Sequence, residues 1–408
     1  MSVAPGASTA ARRAFDAIVV GGGFAGASLA TVMSRAGLDV ALVERTGSFG
    51  DRVRGEALAP WGVAEAKRLG LVETLLERAG AHRLPNWSTY AQGALRSVPL
   101  TTQDPHREAI LSFRHQDAQD ALWDLARRSG AVVCRPARLE RPVRTGDTIG
   151  LRVNGAPLTA RMLIGADGRA SAVRGLLGRR CRSDSATHTV SGLLLRGTRV
   201  DPESVLTGRV RHGRLLLFPI DATHTRVYYM AAPSQARRLR GRRAAAEILA
   251  VCRAELPPPW FANAVPAGPS ATFPNADRWV PHPWSGTMTL IGDAAGSSDP
   301  SIGQGLSVAL RDVRELSDRL LGPSTWEEAC AGYARNRLRY FHTQRMVARW
   351  TWELDDPGPK GVEVRRTAAR ARGSAARGEL MRRIVPNYPG HTPPILPPAW
   401  LPAMPAAA

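Results

Sequence analysis

Lysine is nearly absent from this chain of 408 residues, because only two of its 55 basic residues, Lys67 and Lys360, are lysines. Arginine supplies the other 53, against 35 acidic residues, and the formal net charge is +20. A field this positive attracts nucleic acid, an anionic membrane surface or an acidic carrier protein, although solvated helix faces are the plainer interpretation. No zinc finger, RNA-binding aromatic set or basic zipper accompanies the charge, so we expect no nucleic-acid partner.

Cysteine is also scarce, with four residues that lie far apart and form no C-x-x-C pair. This spacing disfavours a disulfide scaffold and a zinc ribbon, and we expect no metal site. No apolar run reaches the roughly 18 residues that a membrane span needs. The N-terminal residues lack the apolar centre of a signal peptide. We therefore expect a cytoplasmic protein with no membrane span.

The chain opens with an alternation typical of a βαβ unit. FDAIVV (15–20) predicts a buried strand, residues 24–37 predict a helix, and LDVALVE (38–44) predicts a second buried strand. Strand-like segments between residues 189 and 232 predict a sheet in a second domain. A long helix is expected at about 325–354, and the sequence from Val385 onward is rich in proline.

The strongest local signal is Gly21-x-Gly23-x-x-Gly26, which follows the first strand and opens the helix. The first glycine permits a tight turn, the second lets the backbone approach a pyrophosphate, and the third allows close helix–strand packing. The start of the helix offers free N–H groups to that phosphate. Glu44, at the end of the second strand, is placed to bind ribose hydroxyls. The pattern predicts an ADP-containing dinucleotide and leaves NAD and FAD open.

Two later segments decide between these cofactors. LIGADG (163–168) is a strand that ends in the turn Asp167-Gly168, and LIGDAAG (290–296) precedes DPSIGQG (299–305) and a helix. The three blocks, in this order and spacing, resemble the FAD-dependent monooxygenases of the para-hydroxybenzoate hydroxylase type. The resemblance covers most of residues 15–345.

The resemblance implies an α/β fold in which a Rossmann-like FAD-binding domain carries an inserted mixed or antiparallel β-sheet substrate domain and a helical C-terminal region. We expect the FAD-binding domain at 15–85, 100–182 and 285–325, and the substrate domain at 86–99 and 183–284. C-terminal helices are expected at 326–384 and a Pro-rich tail at 385–408.

The resemblance also implies which residues contact the cofactors. Asp167 and Gly168 would touch the FAD pyrophosphate and the path of NAD(P)H, and Asp293 would hold the ribityl hydroxyls. The loop from Pro300 to Gly305 would lie against the isoalloxazine ring. The full set expected at FAD is Gly21, Gly23, Phe24, Ala25, Gly26, Glu44, Arg45, Arg54, His115, Asp167, Gly168, Asp293, Pro300, Gly303, Gln304 and Gly305.

The implied reaction is a monooxygenation with FAD and NAD(P)H as cofactors. NAD(P)H would reduce FAD, O₂ would add at flavin C4a, and this hydroperoxide would pass one oxygen to an aromatic, polyketide-like or alkene substrate of secondary metabolism. The protein would supply binding, orientation and a water-poor cavity. Candidate wall residues for the substrate are Phe218, Tyr228 and Met230; Tyr228 and Tyr229 must face opposite sides of their strand.

The expected partner is a small-molecule substrate, either free or attached to an acidic carrier protein. The arginine-rich stretch from Arg237 to Arg243 would attract such a carrier. The sequence leaves the oligomeric state open.

Three features leave alternatives open within the family. Gly296 stands where many of these hydroxylases have His, a change shared with geranylgeranyl-reductase-like and halogenase-like relatives. DRVRGEALAP (51–60) is similar to a loop that borders the flavin in squalene-epoxidase-like members. Arg54 and Glu56 in this loop are catalytic candidates, and they would order it as a charge pair or form a surface pair. His115 would contact FAD or cap its helix.

A flavin reductase that consumes no O₂, a flavin-dependent halogenase and a non-catalytic basic binding protein are the alternatives. Halogenases need a lysine and a Trp-x-Trp-x-Ile-Pro motif. Lys67 lies on AEAKRLGL, which predicts an exposed amphipathic helix. Trp350-Thr351-Trp352 lacks Ile-Pro and follows the Gly-Asp block. Both observations favour a monooxygenase over a halogenase.

Overall fold

The computed structural model describes residues 13–355, apart from 54, 105, 138, 141–142, 146–147 and 242. Arg54, residues 356–384 of the predicted C-terminal helices and the Pro-rich segment 385–408 lie outside the described residues. Within the described part of the chain, no helix is long and apolar enough to cross a membrane.

The regular elements follow in chain order. The helices are α1 (Phe24–Arg35), α2 (Pro60–Arg68), α3 (Val72–Glu77), α4 (Leu100–Gln103), α5 (His115–Arg128), α6 (Ala172–Leu176), α7 (Arg243–Glu255), α8 (Pro258–Phe261), α9 (Gly305–Leu320) and α10 (Trp326–Asp355). The strands are β1 (Arg13–Val20), β2 (Val40–Val43), β3 (Ala57–Leu58), β4 (His82–Leu84), β5 (Asn86–Ala91), β6 (Ala94–Pro99), β7 (Ile110–Ser112), β8 (Val132–Cys134), β9 (Val143–Thr145), β10 (Thr148–Val153), β11 (Ala156–Gly165), β12 (Arg182–Ser183), β13 (Thr189–Arg196), β14 (Ser204–Val210), β15 (Gly213–Pro219), β16 (His224–Ala231), β17 (Val265–Pro266), β18 (Ala271–Pro274), β19 (Arg278–Trp279), β20 (Trp284–Ser285), β21 (Met288–Leu290) and β22 (Gly296–Ser297). Short 3₁₀ turns span Pro233–Gln235, Gly292–Ala294 and Pro300–Ile302.

The first sheet has the strand order β20-β21-β11-β1-β2-β8, and its pairs are parallel except the edge pair β20–β21, which is antiparallel. Strands β9 and β10 extend it through antiparallel pairing with β11. In β1, Ala17 and Val19 pack into the apolar cluster that includes α1 and α9, while Ile18 and Val20 pack into a cluster on the opposite face. Burial on both faces explains why β1 is almost continuously apolar.

The second sheet has the order β17-β13-β16-β15-β14-β5-β6, and β18 also pairs with β13. Its pairs are antiparallel except β14 with β5, which is parallel. One face packs against α7 through Tyr229 and Leu193, and the other carries Tyr228 and Met230. The predicted α/β class with an additional mixed sheet is confirmed.

Helix α10 links the two sheets. Tyr333 in its first half packs into the same apolar cluster as α1 and α9, and Trp352 near its end packs against the second sheet. Two further sheets have three strands each, in the orders β3-β7-β4 and β12-β19-β22. The division into domains predicted from the sequence stays a proposal.

We expect Gly26→Ala to destabilise the fold, because a Cβ at this position would lie 1.9 Å from the Gly21 carbonyl oxygen. Relief of this overlap must move α1 away from β1. This shift should lower the free energy of unfolding, measured with urea, by about 1–3 kcal/mol. Gly23→Ala is the matched control, since its Cβ would meet one side-chain atom, Nε2 of Gln119 at 3.4 Å. Equal losses of stability in the two variants would contradict this account of the turn.

Candidate functional site

The turn between β1 and α1 leaves backbone donors open. Gly21 adopts a φ of 103°, and a Cβ there would lie 2.5 Å from the Ala166 carbonyl oxygen. Helix α1 has neither a side-chain cap nor an acidic residue in its first turn. The N–H groups at its start are therefore free to bind an anionic group such as a pyrophosphate.

Glu44 is fixed at the end of β2 by backbone and side-chain donors. Its Oε2 accepts from Gly22 N at 2.8 Å, and its Oε1 accepts from N and Oγ1 of Thr46 at 2.9 and 2.8 Å. An ionised carboxylate has about four acceptor positions, so Oε2 keeps one for a further donor. The contact of Glu44 with a ribose hydroxyl stays a prediction, as does that of Arg45, whose side chain is exposed.

Phe24 and Ala25 present only their backbone to a cofactor. Phe24 is 4% exposed and stacks on Phe113 with ring centroids 5.9 Å apart. Ala25 is buried, and its Cβ would lie 3.1 Å from a Cβ placed on Gly292. This contact brings the Gly292–Ala294 turn against the start of α1.

Asp167 and Gly168 lie beside the first turn. A Cβ on Gly21 would be 2.7 Å from the Asp167 Cα. Oδ1 of Asp167 accepts from Ser171 Oγ at 2.5 Å, and Oδ2 accepts from Ala172 N at 2.6 Å. Asp167 therefore caps the start of α6, a local role that the sequence did not indicate. The structure thus brings the three blocks found in the sequence together at the ends of β1, β11 and β21.

Asp293 lies in the Gly292–Ala294 turn, which packs against the start of α1. Its side chain is exposed, while its neighbours Gly292 and Ala294 are buried. The protein packed around it raises the pKa of Asp293, and Arg169 and Arg337 oppose that effect. A carboxylate that reaches solvent from such a depth suits the binding of hydroxyl donors.

A buried cluster on α9 and α10 holds the Asp293 turn in place. Asp312 accepts from Gly292 N at 2.8 Å and from Arg337 Nε at 2.9 Å, and Tyr340 OH donates to its other oxygen. Burial raises the pKa of Asp312, while Arg337 and the other donors lower it. Because three donors converge on this carboxylate, we treat it as ionised. Despite burial, Asp312 keeps the pKa of Arg337 above its usual value.

The loop before α9 also presents its backbone. Gln304 is locked, since its Oε1 accepts from Trp61 Nε1 at 2.6 Å and its Nε2 donates to Ile302 O at 2.7 Å. Gly303 adopts a left-handed φ of 64°. Gly305 is exposed, and α9 begins there with no side-chain cap and no acid in its first turn. A second helix N-terminus is therefore open to an electron-rich group.

A chain of hydrogen bonds supports this loop from the second sheet. Asp299 Oδ1 accepts from Ser301 Oγ at 2.5 Å, and its Oδ2 accepts from Asn275 Nδ2 at 2.7 Å. His188 Nε2 bonds the same Ser301 hydroxyl, and because that hydroxyl donates to Asp299, His188 is the donor. Trp352 stacks on His188 with ring centroids 3.8 Å apart.

The buried groups of this chain have displaced pKa values. Burial, and then the neighbouring Arg214, lower the pKa of His188 to about 3, so the imidazole is neutral. Burial raises the pKa of Asp277 to about 7, and its Oδ1 accepts from Asp299 N at 2.7 Å. Neutral His188 keeps the Ser301–Asp299 bond oriented over the physiological pH range.

His115 connects the start of α5 with the 51–60 loop. Its Nδ1 bonds the Gly55 carbonyl oxygen at 2.9 Å, and burial lowers its pKa. Gly55 has a φ of 53° and packs against Leu306 at the start of α9. Contact between His115 and FAD stays a prediction.

The interpretation of Glu56 as one half of a surface pair is wrong. Glu56 is 3% exposed; its Oε1 accepts from Arg226 Nη2 at 2.7 Å and its Oε2 accepts from Tyr228 OH at 2.8 Å. Burial raises the pKa of Glu56, with Arg226 opposing it. Glu56 is buried although it belongs to a loop, because Arg226 on β16, 170 residues later in the sequence, pairs with it.

The predicted substrate wall lies on one face of the second sheet. Phe218, Tyr228 and Met230 are 6%, 8% and 1% exposed and share one apolar cluster. Tyr229 packs on the opposite face, as strand geometry requires. The side chains of Phe218, Tyr228 and Met230 are packed in the core, and their contact with substrate stays a prediction.

Several residues of the site were not indicated by the sequence motifs. Asp312 lies four residues after Val308 and four before Leu316, so it falls within an apolar stripe of α9. A charged residue inside such a stripe signals a buried partner. Nothing in the local sequence identifies Arg337 as that partner. The other residues missed are Tyr340, His188, Ser301, Asn275 and Arg226.

The donor set fits FAD and defines a class of protein. Two uncapped helix N-termini, the Glu44 carboxylate after β2 and the exposed Asp293 carboxylate are the kinds of group that the phosphate, ribose and ribityl groups of a flavin dinucleotide would require. The fold and site together define an FAD-binding oxidoreductase.

Comparisons with known proteins agree with this class. Residues 14–339 match the family described as FAD binding domain. The chain is 30% identical over 338 residues to 3-amino-4-hydroxybenzoate 2-monooxygenase of Streptomyces platensis, which covers 74% of this chain and 78% of that protein. It is 37% identical over 116 residues to the 3-hydroxy-4-methyl-anthranilyl-[aryl-carrier protein] 5-monooxygenase of Streptosporangium sibiricum, covering 24% of this chain and 32% of that protein.

Solved structures share the fold. The p-nitrophenol 4-monooxygenase of Pseudomonas putida superposes with a TM-score of 0.72 at 19% identity, covering 91% of this chain and 98% of that one. The myxobacterial chondrochloren halogenase also gives 0.72 at 19% identity, covering 91% and 90%. The chain belongs to the FAD binding domain family and is an FAD-dependent monooxygenase. The predicted resemblance is confirmed.

We expect Arg337→Met to destabilise the protein by about 3–5 kcal/mol, because it leaves the Asp312 carboxylate buried without its cationic partner. The measurement is urea unfolding. Arg127→Met is the matched control, since the Arg127–Asp124 pair spans 3.8 Å at the surface and should contribute less than about 1 kcal/mol. Similar losses in both variants would contradict the role assigned to the buried pair.

We expect His188 to make stability depend on pH. Its pKa is about 3 in the fold, below the ordinary 6.5, so the unfolded chain binds an extra proton between these values and stability falls with acidification. From pH 7 to pH 5 the wild type should lose about 2 kcal/mol relative to His188→Gln. The raised pKa of Asp277 makes its contribution to stability change with pH in the opposite direction. This contribution cancels in the comparison, because both proteins retain Asp277. Parallel pH profiles would contradict the neutral, buried His188.

Proposed function

We propose that this FAD-dependent monooxygenase uses NAD(P)H and inserts one oxygen atom of O₂ into an aromatic substrate. The observation that carries the proposal is the packing of the Asp293 turn against the start of α1, which, like the start of α9, has no side-chain cap among the described residues. The substrate class is drawn from the Streptomyces relative, whose name gives 3-amino-4-hydroxybenzoate as its substrate. A location in the cytoplasm stays a prediction from the sequence.

FAD bound at this site would supply the chemistry, because it would take electrons from NAD(P)H and use them to activate O₂. The chain binds and orients the cofactor. The start of α1 binds the pyrophosphate, and Glu44 and Asp293 accept from ribose and ribityl hydroxyls. The start of α9 stabilises negative charge on the reduced ring by about 0.3–2 kcal/mol.

The apolar face of the second sheet excludes water from the reaction. Phe218 and Met230 form part of its packed wall, and the Tyr228 hydroxyl is engaged by Glu56. The exclusion of water protects a reactive oxygen species from hydrolysis. The shape of the wall orients an aromatic substrate. A substrate attached to a carrier protein is a second form that we propose, in line with the name of the Streptosporangium relative.

The features that kept two alternatives open have local explanations. A Cβ at Gly296 would lie 2.6 Å from the Arg278 carbonyl oxygen, so packing between β19 and β22 accounts for this glycine. It therefore lends no support to a flavin reductase. Lys67 is an exposed residue of α2 that bonds Glu108, and this position on the surface lends no support to a halogenase.

The test is an anaerobic titration of the FAD-loaded protein with NADPH, followed by O₂ and 3-amino-4-hydroxybenzoate. We expect the flavin absorbance to bleach and return, a transient C4a-adduct band, and a product one oxygen atom heavier. Asp293→Ala should weaken FAD binding at least about tenfold through loss of charged acceptor bonds. The control Asp318→Ala removes a carboxylate that is 61% exposed on α9 and should bind FAD as the wild type does. Flavin that NADPH does not reduce, or turnover without O₂ consumption, would overturn the proposal.

A further inference from the structure

A row of arginines lies at the start of α7 beside the second sheet. Residues 233–250 contain five arginines and one acid, Glu247. Within the described residues, Arg238 pairs with Glu247 at 3.6 Å, and the other arginines of the row have no ion pair. We call the exposed members of this row the arginine rim: Arg237, Arg238, Arg240 and Arg243.

The rim is held in a fixed position by a buried anchor. Leu239 is 0% exposed and belongs to the apolar cluster beneath α7. Thr272 Oγ1 donates to the Leu239 carbonyl oxygen at 2.5 Å. Leu239 is buried, whereas its neighbours Arg238 and Arg240 are exposed. The anchor therefore places both charges at the surface beside the second sheet.

A cleft of about 740 Å³ opens next to the rim. It runs along β18, at the edge of the second sheet, and combines a guanidinium group with hydroxyls and apolar side chains. We call it the edge cleft, and its lining residues are Thr189, Ala236, Arg240, Gly241, Ala244, Ser270, Ala271, Thr272, Phe273 and Pro274.

The edge cleft separates the rim from the predicted substrate wall. Thr272 faces the α7 side, where it holds Leu239, whereas Ala271 and Phe273 pack against the cluster that contains Phe218 and Tyr228. The arginine rim therefore lies on one face of the sheet and the wall on the other. A partner bound at the rim reaches the wall only through an extended arm that crosses the edge strand.

One lining residue of the edge cleft stands next in sequence to a residue that bonds the loop predicted to contact the flavin ring. Thr189 lines the cleft, and the preceding residue, His188, bonds Ser301 in that loop.

We propose that the arginine rim docks an acidic carrier protein, and that the edge cleft admits the phosphate-bearing arm to which the aromatic substrate is attached. Guanidinium groups suit phosphate and carboxylate groups, and a row of four exposed cations facing one acid steers an acidic partner into place. The proposal rests on the proposed monooxygenase function and adds a partner and a docking surface to it.

The test measures binding of a fluorescently labelled acyl carrier protein that bears a 3-amino-4-hydroxybenzoyl group on its phosphopantetheine arm. We expect the FAD-loaded wild type to bind it and Arg237→Glu/Arg240→Glu to bind at least about tenfold more weakly. The control Arg335→Glu/Arg339→Glu makes the same change of charge at exposed positions of α10 and should stay within about twofold of the wild type.

Turnover of free 3-amino-4-hydroxybenzoate should be equal in the wild type, the rim variant and the α10 control variant. Neither pair of substituted arginines belongs to the residues predicted to contact FAD. No carrier binding by the wild type, or equal weakening by the control pair, would overturn the docking surface. Single-stranded DNA that binds as tightly and responds equally to the rim variant would also overturn it, in favour of a general polyanion surface. Absence of flavin reduction by NADPH would instead refute the underlying monooxygenase, whatever the carrier result.

Discussion

The buried ion pair between Asp312 and Arg337 is the constraint on which the cofactor cleft depends. Asp312 is 0% exposed and Arg337 2%, so the pair is stable only if further hydrogen bonds satisfy both groups. Those bonds come from the turn that carries Asp293: Gly292 N donates to Asp312, and Arg337 donates to the carbonyl oxygens of Gly292 and Gly296 at 3.4 and 3.3 Å. Loss of either partner therefore disturbs the turn, α9 and α10 together.

The same arrangement explains how the fold keeps donors available for a ligand. Helices α1 and α9 begin without side-chain caps, so their first N–H groups remain unsatisfied by the described residues. The Asp293 side chain is likewise exposed. We propose that these groups gain their partners when FAD binds, and binding would then stabilise the folded state by mass action. His188 and Asp299 support the loop before α9 from the second sheet, which couples the packing of that sheet to the position of the loop.

Much of the fold and cofactor cleft could be predicted because the signals are local. The glycine turn, the Asp167-Gly168 turn and the Asp293 block each combine a buried strand with a turn that only certain residues permit. The buried ion pair between Asp312 and Arg337 could not be predicted, because the two residues stand 25 positions apart on different helices. Local sequence does not specify tertiary partners. Glu56 was misjudged for the same reason, because its partner Arg226 comes from a distant strand.

The most direct test of the account is a crystal structure of the protein with FAD bound. We predict a ribityl hydroxyl within hydrogen-bonding distance of the Asp293 carboxylate, the pyrophosphate at the start of α1, and the isoalloxazine ring against the Pro300–Gly305 loop. The Asp312–Arg337 pair should retain its 2.9 Å contact in that complex. FAD bound elsewhere, or a bound FAD whose ribityl chain does not meet Asp293, would contradict the account.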